Sequence, residues 1–282
     1  MIYDDTKCQF PVVLFDVDGT LTGHRRKIGA NVINALLTLG DVVQLGFVTG
    51  SPFYRIEEQL APFFNVDNAK ITEGVDIFPC NGTQFFFWDA SDGKFACSRS
   101  VSMRKELGNE QFRQLIVGIQ DAQHRFVHQF ALKLDIPMCG NFIDYRESLL
   151  NWCPIGSTAS FEDREKFIIL DKRHGIRDSL ISTFHSDIGD LVPGIVVNFG
   201  GQTSFDIFPL GWDKTFCLNT YDDVPVWFVG DRCEPGGNDF EIYELLVRHG
   251  RAYKTRSPSE TVKIIHNKIL PDIKKFLEMS LD

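Results

Sequence analysis

Hydrophobic positions along this chain follow two distinct styles. Val12-Val13-Leu14-Phe15, Gln44-Leu45-Gly46-Phe47-Val48 and Val226-Trp227-Phe228-Val229 are short apolar runs with almost no polar alternation. Such runs predict strands buried on both faces of a parallel sheet. Between the first two, apolar residues at 28, 32, 33, 36 and 37 form a helical stripe over 27–39, which completes a β-α-β unit. Towards the C-terminus, Phe240, Tyr243, Leu246 and Val247 predict a helix over 239–249, closed by Gly250. A strand is expected over 251–255. Ser257-Pro258-Ser259-Glu260 then predicts a capped helix start with proline at the first helical position, and Pro271 predicts a kink or end in that helix.

The middle of the chain reads differently. Segments 84–90 and 95–100 flank Ser91-Asp92-Gly93, 141–146 and 149–153 form a second strand pair, and 196–199 and 203–208 flank Gly200-Gly201-Gln202. These are hairpin signals. Helical stretches near 110–130 and 161–188 separate them, which suggests an α+β domain. The expected fold is therefore α/β: a doubly wound parallel-sheet core, residues 1–87 and 208–282, interrupted by an inserted α+β cap at 88–207. The run Phe85-Phe86-Phe87-Trp88 is expected to pack against the cap or an interface.

Each of the three buried strands ends at polar residues: Asp16, Thr49, and Gly230-Asp231. In open α/β sheets the ligand site lies at the carboxyl ends of the strands, so one shared site is expected. Asp16 and Asp18 stand one residue apart, and on an extended segment both would point the same way. Two converging carboxylates are unfavourable without a cation, and hard divalent cations prefer oxygen ligands. Gly19 would allow a tight turn and close approach to an anion. A calcium-binding EF-hand loop is excluded, because Leu21 and Lys27 occupy the positions that need Gly and Glu.

Bulk composition narrows the partners. The chain has 282 residues, 43% hydrophobic and 24% charged, with a net charge of −9. That balance argues against a nucleic-acid or anionic-membrane surface, and no apolar run is long enough to span a bilayer. Met1-Ile2-Tyr3-Asp4-Asp5 lacks the basic start of a secretory leader. Seven scattered cysteines without a C-x-x-C pair fit reduced thiols in the cytoplasm, and none sits in a recognisable Cys/His pair.

Asp16-Val17-Asp18-Gly19-Thr20-Leu21-Thr22 after a hydrophobic strand resembles the first motif of the haloacid dehalogenase superfamily of phosphotransferases. More narrowly, the chain resembles the eukaryotic phosphomannomutase family over nearly its whole length. The resemblance rests on 15–28, Pro79-Cys80-Asn81-Gly82, 141–156, 200–214 and 228–242. Gly200-Gly201-Gln202-Thr203-Ser204-Phe205-Asp206 and Gly211-Trp212-Asp213-Lys214 are specific to that family. By position Asp16 can serve as nucleophile and Asp18 as acid/base. The resemblance implies the same roles, with the Asp18 backbone carbonyl also on Mg²⁺. It implies that Asp231 completes the metal site, that Asp239 supports it, and that Lys214 pairs with nucleophile and phosphate. Gly236-Gly237-Asn238-Asp239 also reads as an ordinary turn with Asp239 capping the next helix. Thr49 and Ser51 are hydroxyl donors to phosphate, with the family pattern favouring Ser51. Arg25 is implied to reach substrate at the core–cap seam, and Asn81-Gly82 to turn the chain towards the cap, with Cys80 where Glu is usual. Ser204 and Asp206, at i and i+2 on a strand, are implied to take sugar hydroxyls.

The family also implies three cap arginines on the non-reacting phosphate. Here Arg146 is present, whereas Cys139 and Ser157 stand at the other two positions assigned by resemblance. A guanidinium–phosphate contact contributes about 1.5–3 kcal/mol. Losing two would cost on the order of 10²–10⁴ in affinity unless neighbours such as Lys133 or Arg104 compensate. The expected activity is Mg²⁺-dependent interconversion of mannose 6-phosphate and mannose 1-phosphate through a hexose 1,6-bisphosphate activator, in a homodimer joined through the cap. A sugar-phosphate phosphatase and a non-catalytic dimeric binding protein are the alternatives.

Overall fold

The computed structural model describes residues 10–65, 73–189, 192–222 and 224–279. The Met1–Asp5 leader comparison and Cys8 fall outside the described residues. The chain divides into two compact units: residues up to Ser100 with Asp213 onwards, and Val101–Trp212.

In the first unit, β1 (Val12–Phe15), β2 (Gln44–Val48), β3 (Val75–Phe78), β4 (Gln84–Asp89) and β5 (Lys94–Ser100) come from the N-terminal half, and β10 (Val226–Gly230) and β11 (Ala252–Lys254) from the C-terminal half. Their order in the sheet is β11-β10-β1-β2-β3-β4-β5. The first five are parallel; β4 and β5 add antiparallel at one edge. Alternate residues of β1 serve opposite faces. Val13 and Phe15 pack with α1 (Ala30–Gly40) and α2 (Phe53–Phe64), whereas Val12 and Leu14 pack with Ile242 and Leu246 of the later helix Phe240–Val247. All four are fully buried, as the unbroken apolar pattern requires. Phe15 is in register with Phe47 on one side and Val229 on the other, so the ends of β1, β2 and β10 stand level where the strand order switches.

The 84–100 hairpin belongs to this sheet, which moves the expected boundary from 87/88 to 100/101. A hairpin signal identifies two strands that pair with each other but not the third strand that one of them meets. Here Ile77 pairs with Phe86. The Phe-rich run accordingly packs within the same unit: Phe85 stacks on Phe78 at 5.1 Å and Phe86 on Phe53 at 4.1 Å.

The second unit carries β6 (Ile143–Tyr145), β7 (Leu150–Trp152), β8 (Ile195–Gly200) and β9 (Ser204–Pro209), an antiparallel sheet in the order β6-β7-β9-β8. Strand β9 runs past the expected boundary at 207, and the second unit extends to Trp212. Helices α3 (Met103–Phe126), α4 (Phe161–His174) and α5 (Ile176–Gly189) cover one face, where Leu150, Trp152, Val197, Phe205 and Ile207 share a core with Leu115, Phe126, Phe167 and Phe184. The helical stretch expected over 161–188 is split by Gly175, whose φ of +59° caps α4 in the left-handed region.

At the C-terminus, α6 (Phe240–Val247) precedes β11, and α7 (Pro258–Ile264) starts at Ser257, whose side chain accepts from the Glu260 backbone N–H. Pro271 does not end the helical run. A π-helical turn at Ile265–Ile269 precedes it and α8 (Leu270–Met279) continues, the wider turn absorbing the hydrogen bond that proline cannot make.

Candidate active site

Asp16 is the first residue beyond β1, and its backbone N–H donates to Val229 O of β10 at 2.9 Å. Strand β1 ends at the residue before it. Gly19 adopts φ +95°, and Leu21 and Thr22 both donate to Val17 O, so the chain turns within a few residues. Of the two aspartates expected to converge, only Asp16 joins the acidic cluster. The Asp18 Oδ1 accepts from the Arg25 backbone N–H at 2.7 Å and from Gln59 Nε2 at 2.9 Å. Its carboxylate is not part of the acidic cluster.

The cluster that does form comes from distant sequence: ligand oxygens of Asp16, Asp231 and Asp239 lie within 4.8 Å of one another. Two glycines make the approach possible. A Cβ at Gly19 would lie 2.3 Å from Asp231 Oδ2, and one at Gly230 would lie 2.6 Å from Asp239 Oδ2.

Lys214 begins a 3₁₀-helix, Lys214–Thr220, entered through Asp213, which accepts from the Thr215 N–H. The ammonium is fully buried and donates to Asp16 Oδ1 at 2.5 Å and Asp239 Oδ1 at 2.6 Å. Burial alone would depress its pKa; the two carboxylates reverse this and hold it above the usual lysine range. Burial pushes the Asp16 carboxyl well up, opposed by Lys214 and reinforced by Asp239 and Asp231. Burial, then Asp239, raises Asp231 to about 7. One ammonium does not neutralise three carboxylates.

The hydrogen bonds distinguish the three acids. Asp239 is engaged on both oxygens, Oδ1 by Lys214 and Oδ2 by the Arg232 backbone N–H at 2.9 Å. Asp16 Oδ2 is buried with no hydrogen-bond partner among the described residues. A buried anionic oxygen without a donor is costly unless a cation meets it, so these residues fit a hard divalent metal.

The end of β2 adds the hydroxyls. Thr49 is buried and its Oγ1 accepts from the Ser51 N–H at 3.2 Å, whereas the Ser51 hydroxyl makes no hydrogen bond among the described residues. Cys80 and Asn81 follow β3 with φ of 52° and 60°, and their N–H groups donate to Ser51 O and Thr49 O. Arg25 is exposed, with φ +55°.

In the second unit Ser204 and Asp206 lie on the sheet face opposite the helices, as their spacing on β9 requires. Asn151 of β7, not singled out by sequence reasoning, donates through Nδ2 to Ser204 Oγ (3.1 Å) and Asp206 Oδ1 (2.7 Å). Its signal was a lone amide between Leu150 and Trp152, polar on one face of an apolar strand. Arg146 Nε donates to Asp144 Oδ2 at 2.9 Å.

Cys139 and Ser157 sit on adjoining loops: Cys139 N–H donates to Ile155 O, and Ser157 N–H to Asn141 O. The first turn of α4 meets the same loops through a Cys139 Sγ–Asp163 Oδ2 contact of 3.6 Å. The next residue, Arg164, is half-buried, and its Nη1 is buried without a partner among the described residues. Sequence reasoning passed over Arg164, because one arginine in the polar stretch Glu162-Asp163-Arg164-Glu165-Lys166 resembles any solvated helix face. Arg104 instead binds Asn109 Oδ1 on α3, and Lys133 is exposed.

A buried lysine linking the carboxylate after β1 to the one that opens α6, at the switch point of a mixed α/β sheet, is an arrangement of the haloacid dehalogenase-like phosphate-transferring enzymes, to which the chain belongs. Residues 32–271 match eukaryotic phosphomannomutase, and the chain belongs to that family. It is 37% identical over 254 residues to a phosphomannomutase of Dendrobium officinale, covering 89% of this chain and 91% of that protein. To phosphomannomutase 1 of Dictyostelium discoideum it is 35% identical over 254 residues, covering 89% and 93%. Among solved structures, IMP-bound, N-terminally truncated Plasmodium falciparum IMP-nucleotidase superposes with a TM-score of 0.61 at 13% identity, covering 91% of this chain and 67% of that one, a likeness of fold.

Proposed function

We propose that this chain is a phosphomannomutase interconverting mannose 6-phosphate and mannose 1-phosphate. The observation that carries the reading is the Lys214–Asp16 pair with its unpartnered Asp16 Oδ2. Asp16 attacks the phosphorus of a hexose phosphate, the sugar O–P bond breaks, and Asp18 gives its proton to the leaving oxygen. In the second half a sugar hydroxyl returns its proton to Asp18 and takes the phosphoryl group from Asp16. Asp18 suits this role because Oδ1 is anchored by Arg25 N–H and Gln59, while Oδ2 accepts no hydrogen bond among the described residues. Lys214 opposes the upward push of burial on the Asp16 carboxyl and donates to the phosphate. Ser51 supplies the hydroxyl donor.

Asp16, Asp231 and the Asp18 carbonyl would hold Mg²⁺, which would supply positive charge against the phosphate oxygens. Asp239, engaged on both oxygens, supports the site by fixing Lys214 and the loop after β10. Arg25, Arg146, Ser204 and Asp206 bind substrate, with Arg146 and Arg164 as the cationic groups of the second unit. A hexose 1,6-bisphosphate serves as activator. Family resemblance supports a homodimer joined through the second unit, and the free thiols support a reducing compartment, the cytoplasm.

The test is product analysis by ³¹P NMR, with mannose 1-phosphate, Mg²⁺ and catalytic hexose 1,6-bisphosphate. Mannose 6-phosphate is the expected product. Inorganic phosphate alone would assign a phosphatase, and unchanged substrate would reject an enzyme acting on this sugar.

A further inference from the structure

The four strands of the second unit place one polar residue each in a single cross-sheet row. Asp144 of β6 is opposite Asn151 of β7, Asn151 is opposite Asp206 of β9, and Asp206 is opposite Asn198 of β8. Residues directly opposite in an antiparallel sheet share a face, with Cβ atoms about 4.5–5.5 Å apart. The rows on either side, Ile143-Trp152-Phe205-Phe199 and Tyr145-Leu150-Ile207-Val197, point the other way, and all of these except Tyr145 belong to the core under the helices. A polar row across a whole sheet, between two rows of this kind, is a built surface.

Three members of the row are engaged. Asp144 accepts from Arg146, and Asn151 donates to Asp206 and Ser204. The fourth is not. Asn198 is half-buried, and its side-chain amide makes no hydrogen bond among the described residues. If the row served only to hold the Asp206 carboxylate, the amide directly across from it would be the natural donor. Asn151 takes that role from the other side. Gly200, two residues along β8 on the same face, keeps the space beside Asp206 clear, since a Cβ there would lie 2.6 Å from Asp206 Oδ1.

An amide beside a carboxylate offers two donors and two acceptors next to an acceptor-only group. Neighbouring hydroxyls of a sugar ring, each both donor and acceptor, match such a pair. We propose that Asn198 is a substrate-contacting residue, binding a ring hydroxyl next to the one taken by Asp206 and thereby contributing to sugar specificity. This rests on the hexose phosphate reading above.

The experiment is isothermal titration of the full chain and of Asn198→Ala and Asn198→Ser with mannose 1-phosphate, then with analogues lacking one ring hydroxyl at a time. Loss of one such hydrogen bond should weaken mannose 1-phosphate binding by roughly 5- to 30-fold in Asn198→Ala. The loss should be smaller in Asn198→Ser, which keeps a donor and an acceptor. Against one analogue the difference between parent and Asn198→Ala should shrink to under about twofold, the mark of a contact to the missing hydroxyl. A purely structural residue would weaken every analogue equally, and that result overturns the proposal. So does binding within twofold of the parent for mannose 1-phosphate itself. If the unsubstituted chain binds no hexose phosphate, the functional reading fails and this inference fails with it; if it binds and Asn198→Ala is silent, only this inference falls.

Discussion

The two units build their polar groups in opposite ways. In the first, charge is concentrated and buried: three carboxylates surround one lysine, drawn from the ends of β1 and β10, the start of α6 and a 3₁₀-helix far along the chain. In the second, the polar groups are the residues of one sheet face, brought together by strand register, with amides as well as charges. Burial makes the first assembly sensitive to the loss of any one charge, because the remaining partners are left unpaired in a low-dielectric setting. In the second, Asp144, Arg146 and Asn198 are only half-buried, so substitutions at these positions should change affinity before stability.

The largest expected effect falls on the first unit. Asp16→Asn should abolish sugar phosphate isomerisation, a loss of at least several thousandfold or about 4 kcal/mol or more of barrier, while far-UV circular dichroism stays unchanged. Activity within tenfold of the parent would remove Asp16 as nucleophile.

Lys214→Met should cost stability as well as activity. It leaves Asp16 and Asp239 buried without their cation, at about 3–5 kcal/mol. Because burial raises the Asp16 pKa, acid relieves the strain by protonating it, so the melting-temperature deficit should be smaller at pH 5 than at pH 8. A deficit independent of pH would mean that lost packing, not charge, is responsible.

Asp231→Asn should raise the Mg²⁺ needed for half-maximal activity, by roughly 10- to 100-fold by analogy with other lost metal-site groups. It also has a metal-free readout. The folded pKa of Asp231 is raised to about 7 from 3.8, so the folded chain holds the proton more tightly than the unfolded one. Its contribution to stability is then complete below about pH 4 and lost as pH rises through 7. With chelator present, the parent should melt lower at pH 8 than at pH 5, and Asp231→Asn should lose less over that interval. Equal slopes would contradict the acidic cluster.

The smallest effects belong to the second unit. Arg164→Met should raise KM for mannose 1-phosphate by about tenfold with little change in melting temperature, as expected for one charge-assisted phosphate contact. Ser157→Arg should lower KM by a few-fold by adding a donor on a neighbouring loop. If Arg164→Met is silent while Ser157→Arg acts strongly, Arg164 is not the group that offsets the missing arginine.

Local pattern reached far into this fold. The buried strands, α1, the capped start at Ser257 and the hairpins around Gly93 and Gly201 follow from side-chain periodicity and turn chemistry, which act over a few residues. The same range explains why Ser204 and Asp206 were legible as a pair: two residues apart on a strand is enough to put them on one face. Asn198 and Arg164 were not legible, and the lone amide of Asn151 between Leu150 and Trp152 marks only a polar face, because a single amide or arginine does not name its partner; only register and burial give it a neighbour.

The nucleophile segment marks the boundary between the two kinds of information. Sequence alone determined that Asp16 follows a buried strand, that Gly19 turns the chain, and that Asp231 and Asp239 follow another strand of the same sheet. It suggested that Asp18 would be the second converging carboxylate, since an extended chain repeats its direction every two residues. In the tertiary structure the carboxylates that cluster with Asp16 are Asp231 and Asp239, and they and Lys214 arrive through strand order. Strand order depends on which hydrophobic faces pack together across the whole unit, and no window of sequence contains that balance.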